Sequence, residues 1–203
     1  MLKTFGCSLT FGAYLQDNPN NEHPSKFAWP QTVAKLMGTE CINHGRNGAS
    51  NREILYRILE TEYNKDDVVI VQWTYPDRST LIKDGFTICI GPWYTEFYEN
   101  QYQYDISEAF YSMMDEGDQS ITQSMCIEHA GLYLDSIDIK NYHFHHSPKL
   151  VETRNWTKRK MLDINYIKVI AENPEKRASD GHHPNEEIHN IIGNQIWSMM
   201  MQN

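Results

Sequence analysis

The chain lacks the features that mark several large protein classes. Its four cysteines, Cys7, Cys41, Cys89 and Cys126, are scattered and form no Cys-x-x-Cys pair. That argues against a zinc site or a disulfide frame and suits reduced thiols in a cytoplasmic protein. No apolar run approaches the roughly 18 residues that a spanning helix needs, so no membrane partner is expected. The N-terminus has no long apolar segment of the secretory type, so no signal peptide is expected. Basic residues are also few. With 18 Lys and Arg against 27 Asp and Glu, the formal charge is −9, which argues against nucleic acid, since phosphate-backbone binding needs clustered cations. There are no internal repeats and no low-complexity tracts.

What is present fits one globular domain. A length of 203 residues can bury a full core without disulfides or metal. Leu2-Lys3-Thr4-Phe5 reads as a short strand running into a small-residue turn, Gly6-Cys7-Ser8-Leu9-Thr10. A helix is predicted from Trp29-Pro30, where proline suits the first turn, to Gly38, a good C-terminal glycine. Cys41-Ile42-Asn43 follows as a second strand. Ser50 stands three residues before Glu53, the spacing of a capping box, and the helix it opens runs to about Tyr63. Val68-Val69-Ile70-Val71 is a near-continuous apolar run, as expected of a central parallel strand buried on both faces. The order β-α-β-α-β argues for a layered α/β fold.

The pattern breaks between Lys83 and Asp105, a stretch rich in tyrosine, phenylalanine and tryptophan with little helical or strand periodicity. It reads as an insertion. Ile106 to Met114 and Ile121 to Ile137 are predicted helices with Gly117 between them, and Ile139 to Phe144 a fourth strand. Lys149 to Lys160 reads as basic and exposed. Met161 to Ile170 fits helix or strand equally. Glu186 to Met200 closes the chain as a helix with an apolar stripe through Ile188, Ile192 and Ile196.

Two ends of the chain carry the candidate chemistry. Ser8 follows the first strand, at the carboxyl end where open α/β sheets bind ligands; taken alone, a serine there is an ordinary helix N-cap. Asp180 and His183, in Asp180-Gly181-His182-His183-Pro184, have the spacing for a carboxylate to hold one ring nitrogen and free the other. Taken alone this is a solvated turn with surface histidines. His182 contends for the base, and the spacing to Asp180 favours His183. Gly48, in the loop after the second strand, can bring a backbone N–H close to an oxyanion. Cys7 is a rival nucleophile, but neighbours on an extended segment face opposite sides, so it is expected to pack inward if Ser8 faces a cleft. His143, His145 and His146 lack companion ligands and read as strand-end surface or structural histidines.

Taken together these blocks resemble the SGNH hydrolases, the superfamily that includes the GDSL esterases. Gly6-Cys7-Ser8-Leu9-Thr10 is similar to its first block, Gly-Asp-Ser-x-Thr, with Cys7 where aspartate is usual. Asn47-Gly48-Ala49-Ser50-Asn51 resembles the second block, and Asp180-Gly181-His182-His183-Pro184 the last. Trp29-Pro30 opening the first helix is a further shared feature. The resemblance implies a three-layer α/β/α sandwich around a mostly parallel, flavodoxin-like sheet, with the first strand between the second and third. It implies Ser8 as nucleophile, His183 as base, Asp180 as its orienting carboxylate, and the N–H groups of Ser8 and Gly48 as oxyanion donors. It calls for no metal or organic cofactor.

The third block departs from the family pattern. Gly-x-Asn-Asp is usual after the central strand, with the asparagine donating to the oxyanion. Here the strand leads into Gln72-Trp73-Thr74-Tyr75-Pro76-Asp77-Arg78. Pro76 takes the asparagine position and has no N–H to give. Either Arg78, Thr74 or Gln72 supplies the donor, with Arg78 ranked ahead of Thr74 for its reach and permanent charge, or the enzyme is slow. Two readings follow. One is an ester hydrolase removing small acyl groups from a small-molecule or glycan ester, O-acetyl sugar among the candidates, with Trp93 and Tyr94 either a flat platform for a sugar or packing the insertion onto the body; an O-acyltransferase is its variant. The other is a non-catalytic carbohydrate-binding or structural module on the same fold. The sequence leaves the oligomeric state open.

Overall fold

The computed structural model describes residues 1–83, 86–91, 101–113, 116–146, 159 and 161–202. In chain order the elements are β1 (Leu2–Phe5), α1 (Ser8–Phe11), α2 (Trp29–Met37), β2 (Cys41–Asn43), α3 (Asn51–Glu60), β3 (Val68–Trp73), β4 (Ser79–Lys83) and β5 (Phe86–Ile90). They continue with α4 (Gln101–Met113), α5 (Glu116–Ser136), β6 (Lys140–His145), α6 (Tyr166–Ala171) and α7 (Glu186–Met200). Four strands form a parallel sheet in the order β2-β1-β3-β6. The first strand thus lies between the second and third, and the expected parallel frame is present.

Side-chain alternation along the strands builds two cores. Leu2, Ile70 and Phe144 face one side, where they meet Trp29 and Val33 of α2, Tyr166 of α6 and Ile188, Ile192 and Ile196 of α7. Phe5, Val69, Val71 and Trp73 face the other, against Ile54 and Ile58 of α3 and Ile127, Ala130 and Leu134 of α5. Helices therefore cover both faces, and the molecule is a three-layer α/β/α sandwich. The expected helix signals operate as chemistry predicts. Pro30 sits in the first turn of α2, Gly38 ends it in the left-handed conformation with φ 67°, and the Ser50 side chain accepts the Glu53 N–H at 3.2 Å.

One charged residue is built into β1. Lys3 is only 5% exposed, and its Nζ lies 2.8 Å from Asp67 Oδ2. Burial opposes ionisation of Asp67, but hydrogen bonds from Lys3 and the Asn64 N–H outweigh it and hold the carboxyl below its usual range. Asp67→Ala would strand a buried ammonium. The expected cost is about 3–5 kcal/mol, read as a lower urea midpoint at unchanged slope.

The structure corrects several expectations. Part of the stretch read as an insertion without strand character is an antiparallel hairpin, β4 against β5, with Ser79 opposite Ile90 and Thr80 opposite Cys89. Gly117 lies inside α5, not between two helices, and α5 stops at Ser136. The helix after Ser50 ends at Glu60 rather than near Tyr63. The undecided stretch before residue 170 resolves into an irregular segment, 161–165, followed by α6. Arg159, expected in an exposed basic run, has a mostly buried side chain bonded to Asp135 Oδ2 at 2.7 Å; it lies so close over Gly131 that a Cβ there would overlap it. The rest of the Lys149 to Lys160 run lies outside the described residues, apart from Arg159.

Of the two expectations for the three histidines of β6 and its end, surface or structural, the structure bears out the structural one. His143, His145 and His146 are 1%, 5% and 1% exposed. His143 Nδ1 accepts the Trp73 indole N–H at 3.1 Å, the Gln123 amide nitrogen reaches the His145 ring at 3.2 Å, and His146 Nδ1 bonds the Trp73 carbonyl at 3.1 Å. They join β6 to β3 and α5. Among the described residues no group of three or more His, Cys, Asp or Glu is placed to hold a metal ion.

Candidate active site

The site is built on the turn that leaves β1. Cys7 takes the N-cap position of α1 with extended backbone and makes no side-chain cap bond. Ser8 is therefore the first helical residue rather than the cap, and its hydroxyl is not spent on the helix. Cys7 points into the core beside α2 and α7 and is 3% exposed. Ser8 is 7% exposed. The rival thiol is thus turned away. Gly6 is needed at the start of this turn, because a Cβ would sit 2.0 Å from Thr10 Oγ1; that hydroxyl donates to Gln72 Oε1 of β3 at 2.5 Å.

The second-block loop is laced to the same turn. The Arg46 N–H donates to the Gly6 carbonyl at 3.0 Å, and Asn43 Nδ2 to the Thr10 carbonyl at 2.7 Å. Gly45 touches the backbone of α1, with a Cβ there falling 2.6 Å from the Phe11 nitrogen. Because the obstacle is main chain, Gly45→Ala must push α1 aside. A stability loss of about 1–3 kcal/mol is expected, measurable as a drop in thermal midpoint. Gly48 is buried and has φ 79°, a conformation that only glycine adopts without strain. Its carbonyl accepts the Cys89 thiol of β5, so the hairpin that was not foreseen braces this loop from behind.

The dyad loop is closed by its own hydrogen bonds. Asp180 Oδ1 accepts the N–H groups of His182 and His183, both at 3.0 Å, and Oδ2 lies 2.6 Å from His183 Nδ1. Burial disfavours the Asp180 charge, but the His183 ring and these two N–H groups outweigh it and hold the carboxyl below its usual range. An ionised Asp180 fixes the proton on Nδ1 and leaves Nε2 as the free base. His182 is exposed and gives Asp180 only its backbone.

A residue that sequence reasoning passed over joins this loop to the serine turn. Tyr14 has φ 61°, its N–H donates to Asn21 Oδ1 at 2.9 Å, and its carbonyl accepts the Ser179 hydroxyl at 2.9 Å. Its ring packs on the His183 ring, with centroids 5.3 Å apart. His183 therefore lies against Tyr14, on the segment that follows α1, and no hydrogen bond joins its ring to Ser8 Oγ.

At the end of β3 the third block shows a second unforeseen link. The Asn51 amide bonds the Thr74 backbone twice, accepting its N–H at 2.8 Å and donating to its carbonyl at 3.1 Å. Thr74 is fully buried, and its Oγ1 has no partner. Arg78 Nη1 reaches the Ala49 carbonyl at 3.5 Å, and its guanidinium lies 6.0 Å from the Tyr75 ring centre. Trp93 and Tyr94, the expected sugar platform, lie outside the described residues.

Comparison with known proteins gives a consistent fold. No family model and no curated protein matches the sequence. Solved structures do match. A member of the lipolytic G-D-S-L family from Veillonella parvula superposes with a TM-score of 0.51 at 13% identity, over 100% of this chain and 98% of that one. TesA gives a TM-score of 0.58 at 10% identity over 99% and 98%. The acetyl xylan esterase Est2A from the rumen bacterium Butyrivibrio proteoclasticus gives 0.55 at 12% identity, this chain spanning 63% of its length. The chain has the SGNH hydrolase fold. No described helix is long and apolar enough to cross a membrane.

Proposed function

We propose that this protein is a serine ester hydrolase that removes small acyl groups through an acyl-enzyme on Ser8, with O-acetylated carbohydrate as the natural substrate class. The observation that carries the reading is the Asp180–His183 pair at 2.6 Å, whose imidazole packs on Tyr14, on the segment that follows Ser8 and α1. In the forward step Ser8 Oγ attacks the ester carbonyl and His183 Nε2 takes its proton. The charge on the carbonyl oxygen is met by the N–H groups of Ser8 and Gly48. Collapse expels the alcohol with the proton from His183. Water then attacks the acyl-enzyme, deprotonated by the same ring, and releases the acid and free Ser8.

Thr74 and Arg78 compete as third oxyanion donor. The geometry favours Thr74, because its hydroxyl is buried without a partner while Arg78 already reaches Ala49. Removing one such donor costs about 10²–10³ in turnover. Thr74→Val is expected to lose that much on an activated acetyl ester and Arg78→Ala much less; the opposite order would restore Arg78 to first place. All four cysteines are free, which supports a reducing compartment such as the cytoplasm.

The acyl preference is tested by giving the wild-type protein p-nitrophenyl acetate, butyrate and octanoate, and acetylated xylo- and manno-oligosaccharides. Fast acetate release with sharp loss at longer chains is expected. The non-catalytic reading rests on Pro76, and absence of turnover on every one of these esters would make it the better account. If the released acyl group appears on an added sugar rather than in water, the protein is an acyltransferase.

A further inference from the structure

Two residues that line one cavity each carry a buried side-chain oxygen with nothing to bond. The cavity has a volume of about 170 Å³ and lies between the loop after β3 and the starts of α3 and α5. Asp77 Oδ1 and Gln123 Oε1 belong to residues that line it, and neither atom has a hydrogen-bond partner. Gln123 is 2% exposed and its nitrogen is spent on the His145 ring at 3.2 Å, which leaves the oxygen over. Burial raises the Asp77 pKa, against its own N–H and the Arg78 charge. A buried acceptor left unmet costs about 1–3 kcal/mol, so two in one place point to an occupant that donates.

The remaining lining narrows the chemistry. Arg52 and Arg78 stand against a single carboxylate, which disfavours a cationic occupant. Pro76 and Phe110 add apolar surface, and Thr122 adds a hydroxyl. A carboxylate and an amide oxygen beside an aromatic ring suit a molecule with hydroxyls on its edge and C–H groups on its face. The volume equals the share of about five or six liquid waters, room for one six-membered ring.

We propose that this cavity is a binding subsite for a neutral, hydroxyl-rich ring, one sugar unit, whose O–H groups donate to Asp77 and Gln123 while its apolar face meets Phe110. Asn51 of the lining opens α3 just after the loop that carries Gly48 and bonds the Thr74 backbone, and Pro76 lies in the loop that carries Thr74, so the subsite adjoins the candidate active site. Its role in substrate choice rests on the carbohydrate-ester reading; its binding of a sugar does not need Ser8 to act.

The test is a titration of the ¹⁵N-labelled full chain with methyl xyloside, methyl mannoside, methyl glucoside and methylammonium. At least one glycoside is expected to shift the Gln123 side-chain amide and the Asp77 backbone signal saturably, with a Kd of about 1–10 mM for so small a ligand. Asp77→Ala should weaken that Kd about tenfold or more, as expected when a buried charge-assisted hydrogen bond is lost. Thr122→Trp, which fills the cavity from an exposed helix position, should abolish the shifts and decides the matter if Asp77→Ala fails to fold. Ser8→Ala should bind the glycoside as the wild type does, so an inactive esterase and an absent subsite give different results. No saturable shift with any glycoside, shifts unchanged in Asp77→Ala, or a response to methylammonium alone would each overturn the proposal, the first leaving the cavity to water.

Discussion

Ser8→Ala should lower turnover of p-nitrophenyl acetate by about 10⁴-fold or more, and His183→Ala by a similar amount, because nucleophile and base act as one unit. The double variant should be no worse than either single one. Asp180→Asn should keep the fold and still lose about 10³–10⁴-fold, since an amide no longer fixes the proton on Nδ1. These effects should fall on kcat and leave KM nearly unchanged. Tyr14→Ala is a subtler probe. It removes the ring that His183 packs on but touches neither Ser8 nor Asp180, so a fall in kcat with KM unchanged would identify Tyr14 as a positioning residue. If Ser8→Ala keeps more than about a tenth of wild-type turnover, the hydrolysis belongs elsewhere, since no serine mechanism survives loss of its nucleophile so lightly.

The second large effect is on stability in acid. Four histidines are buried in their neutral form. Burial, then the Arg159 charge, takes His143 down to about 3. Burial, then the neighbouring His146, takes His145 to about 3. Burial leads again for His146, at about 4, and burial with the charge of His183 takes His189 to about 3. His189 is held inside the α2, α6 and α7 core, where its Nδ1 meets the Tyr166 hydroxyl at 3.1 Å. All four folded-state values lie below the unfolded value of about 6.5. The unfolded chain therefore takes up protons that the native one refuses.

Their contribution is complete above about pH 6.5 and is lost as pH falls from there toward 3–4, by up to about 1.4 kcal/mol per unit for each ring. At pH 5 the four together remove up to about 8 kcal/mol, a large part of the 5–15 kcal/mol typical of a domain. Unfolding near pH 5 with uptake of up to four protons is expected. Urea midpoints at pH 8, 6.5 and 5.5 would show it, and His189→Asn should reduce the pH slope by about one proton. The depressed Asp67, Asp135 and Asp180 add their loss only lower, as pH drops through the carboxylate range. Stability that stays level from pH 7 to pH 5 would show that these rings are not buried neutral.

The parts of this molecule legible in the sequence are those where one local rule acts without competition. Val68 to Trp73 is apolar enough to be central, the Ser50–Glu53 spacing caps a helix, and Trp29-Pro30 and Gly38 bound another. With those elements placed, a layered α/β fold followed, and the resemblance to the SGNH hydrolases supplied the place of the first strand between the second and third. The Asp180–His183 contact was legible because a tight turn brings residues three apart together. The hairpin was hidden because Phe86-Thr87-Ile88-Cys89-Ile90 runs straight into an aromatic-rich stretch with no period of its own. Three histidines at a strand end read equally as surface or structural until Trp73 and Gln123, from other elements, arrive to bond their rings. Tyr14 carried no signal at all, since a positive φ is announced by glycine or asparagine and here rests on hydrogen bonds to Asn21 and Ser179.

The central claim is that Ser8 is an activated nucleophile, and covalent labelling tests it without knowledge of the natural ester. The folded protein is treated with a fluorophosphonate at pH 8 and its peptides are read by mass spectrometry. The account requires one adduct, on the peptide containing Ser8 and localised to that side chain, absent in Ser8→Ala and formed far more slowly in His183→Ala. No adduct on the wild type, an adduct on Cys7 or another residue, or labelling at the same rate in His183→Ala would contradict it.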